Sequence, residues 1–145
     1  MSKSCFTLGE ANDMLPLVER TLSRVFQMRR QLEQIQRELE LANAAPEEED
    51  FEVLFEDASM GVVNRRAALK TLLATIDDEI ENLANAGAIL RDIDEGRIDW
   101  RACHDGRDIH LCWQQGESEV AHWHDADDGC TTRNPLDELD PDVEP

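Results

Sequence analysis

The stretch RIDWRACHDGRDIHLCWQQGESEVAHWHD, residues 97–125, decides how this chain folds. Ile98, Trp100 and Ala102 alternate with polar neighbours, then Ile109, Leu111 and Trp113, then Ala121 and Trp123. A period of two is the signature of strands with one buried face. Asp105-Gly106 has the composition of a two-residue type I′ turn, which pairs Trp100 with Leu111, Ile98 with Trp113 and Ala102 with Ile109. For the next hairpin, a two-residue connector at Gly116-Glu117 would set Leu111 against His122. A three-residue connector, Gly116 to Ser118, sets Leu111 against Trp123 and Trp113 against Ala121. Only the odd connector keeps the apolar face continuous, because a one-residue slip inverts every side chain.

That register gathers the chemistry on the opposite face. His110 falls beside His124, and Cys112 falls beside His122 and Asp99. Imidazole and thiolate are ligands that zinc prefers, and four of them close a tetrahedral site, so His110, Cys112, His122 and His124 form the candidate metal set. Two other readings compete with it. In one, Cys112 is a nucleophile activated by His124 or His122. In the other, these residues are the polar back of a half-exposed sheet.

Working outward, Asp94-Glu95-Gly96 reads as a turn after a preceding strand, giving an antiparallel meander of three to four strands over about residues 88–125. Gly87 is placed to end a helix in a left-handed conformation. Upstream of it, Val62, Leu69, Leu72, Leu73, Ile76, Ile80 and Leu83 share one helical face over about residues 58–86. Leu15, Val18, Leu22, Val25, Leu32 and Leu39 form a coiled-coil-like stripe in a first helix that ends about residue 43. Thr7-Leu8-Gly9-Glu10 has capping-box form, and Pro16 implies a break or restart near residues 13–16. The two helices must bury their stripes, which predicts an antiparallel hairpin. The fold expected is α+β: a long helical hairpin followed by a small antiparallel sheet, one domain over residues 1–136. A disordered acidic tail is expected over 137–145.

Charge restricts the partners. The 145 residues carry 33 acidic and 14 basic groups, a formal charge of −19. The run PEEEDFEVLFED, residues 46–57, reads as a solvated linker. Such a chain repels phosphate backbones and anionic lipid, which argues against nucleic acid and membrane surfaces. The arginines of the first helix, Arg20 to Arg37, are interleaved with glutamates and read as a solvated face with ion pairs within the helix. No leader or spanning segment is evident, so a cytoplasmic location is expected, with Cys5, Cys103, Cys112 and Cys130 reduced. Asp125 to Gly129 resembles the start of a calcium loop, but its glycine is early and Leu136 stands where the closing glutamate belongs. Trp100, Trp113 and Trp123 read as core. The hairpin exposes more apolar stripe than the sheet can cover, so self-association is expected.

The motifs Phe6-Thr7-Leu8-Gly9-Glu10-Ala11-Asn12-Asp13-Met14-Leu15-Pro16, Arg91-Asp92-Ile93-Asp94-Glu95-Gly96-Arg97-Ile98-Asp99-Trp100 and Leu111-Cys112-Trp113 are specific in combination. With Gly87, Gly116-Glu117, Trp123-His124, Gly129, Arg133 and Pro135-Leu136, the chain resembles the bacterial domain of unknown function 2203 family over about residues 6–136. That family has no established activity, so the resemblance implies a fold and not a reaction. It implies importance for Cys112, Glu117, His124 and Arg133, which fall on its motif positions, whereas His110 does not and His122 commonly aligns with an aromatic. Cys130 and Thr132 depart from the family pattern. The function expected is an interaction or small-ligand-binding module that self-associates through its helices. The alternatives are a His/Cys metal site, or an enzyme using Cys112 and His124 with Arg133 binding an anion. Glu117 and Arg133 otherwise have a structural role, in a turn and in tying down the last loop.

Overall fold

The computed structural model describes residues 5–43, 51–127 and 133–136, with the backbone alone described at residues 43 and 51–59. Helix α1 spans Leu8–Asp13, α2 spans Leu15–Asn43 and α3 spans Phe51–Ala86. Strands β1 (Ile89–Asp92), β2 (Arg97–His104), β3 (Arg107–Gln114), β4 (His122–Asp125) and β5 (Asn134–Pro135) form one antiparallel sheet in the order of the chain. The chain divides into two compact units, residues 1–22 with 80–145, and residues 23–79. No helix among the described residues is long and apolar enough to cross a membrane.

The first unit begins with the capping box: Glu10 N–H donates to Thr7 Oγ1 (3.1 Å) and Thr7 N–H donates to Glu10 Oε1 (2.9 Å). The helix breaks at Met14 and restarts one residue before Pro16, where a missing N–H costs nothing. At the end of α3, Gly87 takes φ 110°, and the pair Gly87 N–H to Ala84 O and Ala88 N–H to Leu83 O makes a Schellman cap. A Cβ on Gly87 would run into the Phe6 ring, so the position needs glycine twice over.

The sheet has the expected register. Asp105 (φ 52°) and Gly106 (φ 74°) form the tight turn, and Trp100 lies opposite Leu111. Leu111 lies opposite Trp123, His110 opposite His124 and Cys112 opposite His122. Ile98, Trp100, Ile109, Leu111 and Trp113 are fully buried with Val18 and Leu22. Trp100 Nε1–H points at Met14 Sδ (3.4 Å), and Val120 N–H donates to Asn12 Oδ1 (2.7 Å), fastening the sheet to the opening helices.

Four details differ from the sequence reading. The connector between β3 and β4 runs from Gln115 to Ala121, because Glu117 closes a turn on Gln114 while Val120 leaves the ladder for Asn12. A fifth strand exists: Leu136 N–H reaches Ala121 O, and the proline in a two-residue edge strand masks its signal in the sequence. Helix α3 starts at Phe51, not near residue 58, so part of the acidic run is helical. Cys5 and Cys103, expected as thiols, form a disulfide with Cα atoms 5.9 Å apart. Phe6 N–H donates to Arg101 O (2.7 Å) and lays the chain start along β2, which brings these cysteines together across 98 residues.

In the second unit, Arg24 pairs with Glu79 (3.0 Å) and Arg65 with Glu38 (3.4 Å). As α2 advances from Arg24 to Glu38, α3 retreats from Glu79 to Arg65, which is an antiparallel hairpin. These two ion pairs join the two helices. Of the described apolar residues here, only Val25 and Ile76 are buried. The segments 44–50, 128–132 and 137–145 lie outside the described residues, and with them Gly129, Cys130, Thr132, the rest of the calcium-like loop and the acidic tail.

Candidate metal centre

The candidate site straddles the middle strand of the sheet. Asp99 on β2 and His124 on β4 flank β3, whose two neighbours are roughly 9.5 Å apart. Both side chains reach over β3 and meet: His124 Nε2 is 2.9 Å from Asp99 Oδ2. Cys112, directly across from Asp99 on the same face, lies beneath them. One ligand atom from each of Asp99, Cys112 and His124 lies within 4.8 Å of the others, and all three residues are buried. This group can hold a metal ion.

The hydrogen bonds of His124 define an imbalance. Nδ1 lies 2.9 Å from the carbonyl oxygen of Asp125, an acceptor, so Nδ1 carries the proton. A neutral ring then offers a bare lone pair at Nε2, yet Nε2 faces another oxygen, that of Asp99. Something positive must sit between the two, either a second proton or a metal cation. A metal-bound histidine usually donates from its other ring nitrogen to a carbonyl or carboxylate oxygen, as Nδ1 does here.

Asp99 is equally unbalanced. Arg91 Nε–H (3.2 Å) and His124 both meet Oδ2, while Oδ1 is buried without a hydrogen-bond partner. Burial by itself would raise the pKa of this carboxyl. The adjacent His110 and His124 rings outweigh it and hold the group below its ordinary value. Cys112 moves the other way: burial, then the charge of Asp99, push its thiol up to about 11 against the pull of Arg133.

The remaining sequence candidates fall into place around this group. His110 adjoins it, its Nδ1 3.4 Å from Asp99 Oδ2 and its ring centroid 5.2 Å from that of His124. His122 belongs to a second cluster, with Nδ1 3.3 Å from Arg133 Nη2 and 3.4 Å from Glu117 Oε2. Arg133 Nη2–H donates to Glu117 Oε1 (2.6 Å), and Glu117 also accepts the Gln114 N–H (2.7 Å). Burial would raise the Glu117 pKa, but Arg133 and that backbone donor hold it below its ordinary value. Glu117 thus closes a turn, and Arg133 anchors β5 to it while lying beside Cys112. Asp99 was visible in the sequence as the neighbour of Cys112 but was missing from the ligand set drawn there. The Asp125 carbonyl has no side-chain signal at all.

Comparison with curated proteins and with solved structures gives no match. The model of a family described as an uncharacterized conserved protein (DUF2203) matches residues 4–136, nearly the whole chain with every residue of this site, and the protein belongs to that family.

Proposed function

We propose that this protein is a metal-binding module whose sheet holds one divalent transition metal, zinc, on Asp99, Cys112 and His124. The observation that carries the reading is His124 with an acceptor facing each ring nitrogen, which calls for positive charge at Nε2 that a bound metal supplies. Charge supports it: a carboxylate and a thiolate neutralise a dication, so the buried group as a whole carries no net charge. A mixed sulfur, nitrogen and oxygen set suits zinc, whose affinity is spread over all three. The competing account, a buried imidazolium–carboxylate pair, leaves Asp99 Oδ1 orphaned and gives Cys112 no task. A nucleophilic Cys112 requires an accessible thiolate, whereas this thiol is buried and pushed up to about 11. Protein purified without chelators is expected to contain about one zinc per chain by elemental analysis. A metal content near zero that stays there after dialysis against zinc overturns the proposal.

A second reading concerns the hairpin. Between α2 and α3 lies a groove of about 760 Å³ lined by Arg30, Gln34, Ile35, Ala67, Thr71 and Leu72. Leu41, Met60, Val63 and Leu73 are exposed nearby on the same two helices. A second copy of the hairpin, packed through this seam, completes a four-helix bundle. Light scattering on a size-exclusion column is expected to give twice the chain mass, and the mass should halve in Ile35→Glu. A monomer at high concentration contradicts the reading.

A further inference from the structure

Two imidazoles, not one, converge on the Asp99 carboxylate. The sheet register sets His110 directly across from His124 on the face that carries Asp99 and Cys112. His110 Nδ1 is 3.4 Å from Asp99 Oδ2, the same oxygen that meets His124 Nε2 at 2.9 Å. Nδ1 is not aligned for a hydrogen bond there and has no other partner, although it is buried and the residue is only 8% exposed. A polar nitrogen withdrawn from water and left unpaired is costly, so its position needs a reason. The rings of His110 and His124 meet edge to face at 77°, with His110 adjoining the group of Asp99, Cys112 and His124 rather than lying within its 4.8 Å span. Arg91 fixes that carboxylate from the outer side by its bond to Oδ2.

We infer that His110 is a fourth ligand, so that Asp99, His110, Cys112 and His124 enclose the metal in a closed tetrahedral site. This rests on the metal-binding reading above and adds to it the class of centre. Three protein ligands would leave a position for water or substrate, as in a catalytic site, whereas four with no open position make a structural one. The ligands come from β2, β3 and β4, so the ion clamps the three central strands of the sheet. His122 stays outside, engaged with Arg133 and Glu117.

Cobalt(II) in place of zinc tests this, using the full chain and the variants His110→Gln, His110→Gly, Cys112→Ser and His122→Gln. Wild type and His122→Gln are expected to show the intense visible bands of four-coordinate cobalt and a near-ultraviolet thiolate charge-transfer band. Added azide should leave these bands unchanged. In His110→Gln the charge-transfer band should persist while the visible bands shift and become sensitive to azide, and cobalt should bind at least about tenfold more weakly. His110→Gly should recover the visible bands with added imidazole, which keeps the test valid if the glutamine variant folds poorly. Wild-type bands that shift with azide, or a His110→Gln protein identical to wild type, overturn the fourth ligand and leave the three-ligand reading standing. Absence of the thiolate band in wild type overturns the three-ligand reading itself.

Discussion

Replacing Asp99 by alanine is expected to destabilise the metal-free protein by about 3–5 kcal/mol in urea unfolding, the cost of removing one partner from a buried charged pair. The carboxylate is fully buried, is bonded by Arg91 and His124, and has His110 Nδ1 3.4 Å away. Without it, His124 Nε2 faces a cavity and two cationic or polar groups lose their counter-charge together. The variant also tests linkage. Because the folded-state pKa of Asp99 lies below the unfolded value, its contribution is present above about pH 4 and fades as pH falls through the folded value. Metal-free Asp99→Ala should therefore lose less stability than wild type between about pH 5 and pH 2. Part of the acid sensitivity will remain, because Glu117, held by Arg133, is displaced in the same direction. Equal acid slopes in the two proteins contradict the assignment of Asp99 as an ionised buried carboxylate.

Cys112→Ser is expected to weaken zinc binding by more than about 100-fold, a larger loss than changing a residue that only supports a ligand. It should also flatten the pH dependence. The wild-type thiol, at about 11, is protonated at neutral pH and must release its proton to the solvent when zinc binds. Zinc affinity should accordingly rise about tenfold per pH unit between pH 7 and pH 9, a slope that serine removes. Competition with a chromogenic chelator measures both. The same variant should leave the metal-free fold nearly intact, since serine is close in size and Arg133 and Asp99 lie beside position 112 to receive its hydroxyl. A serine variant that binds zinc as tightly as wild type removes Cys112 from the centre.

Much of this geometry is legible in the sequence, and the reason is local. Asp105-Gly106 dictates a two-residue turn, and the indoles and aliphatics of residues 98–123 permit one register between β3 and β4. From those two facts His110, His124, Cys112 and Asp99 fall on one face without further information. What the sequence conceals is set by reach and by contacts distant along the chain. Periodicity places a Cβ on a face but does not say that Asp99 and His124 extend over β3 while His122 turns toward Arg133. The connector length was hidden because Val120 bonds to Asn12, more than a hundred residues away. The Cys5–Cys103 link and the strand at Asn134–Pro135 likewise depend on neighbours that no local pattern announces.

X-ray absorption at the zinc edge tests the central claim most directly, because it reports which atoms touch the ion. Zinc-loaded wild type is predicted to show one sulfur at about 2.3 Å and the remaining scatterers, nitrogen and oxygen, at about 2.0–2.2 Å. A first shell of nitrogen and oxygen without sulfur would place the metal elsewhere and contradict a centre built on Cys112.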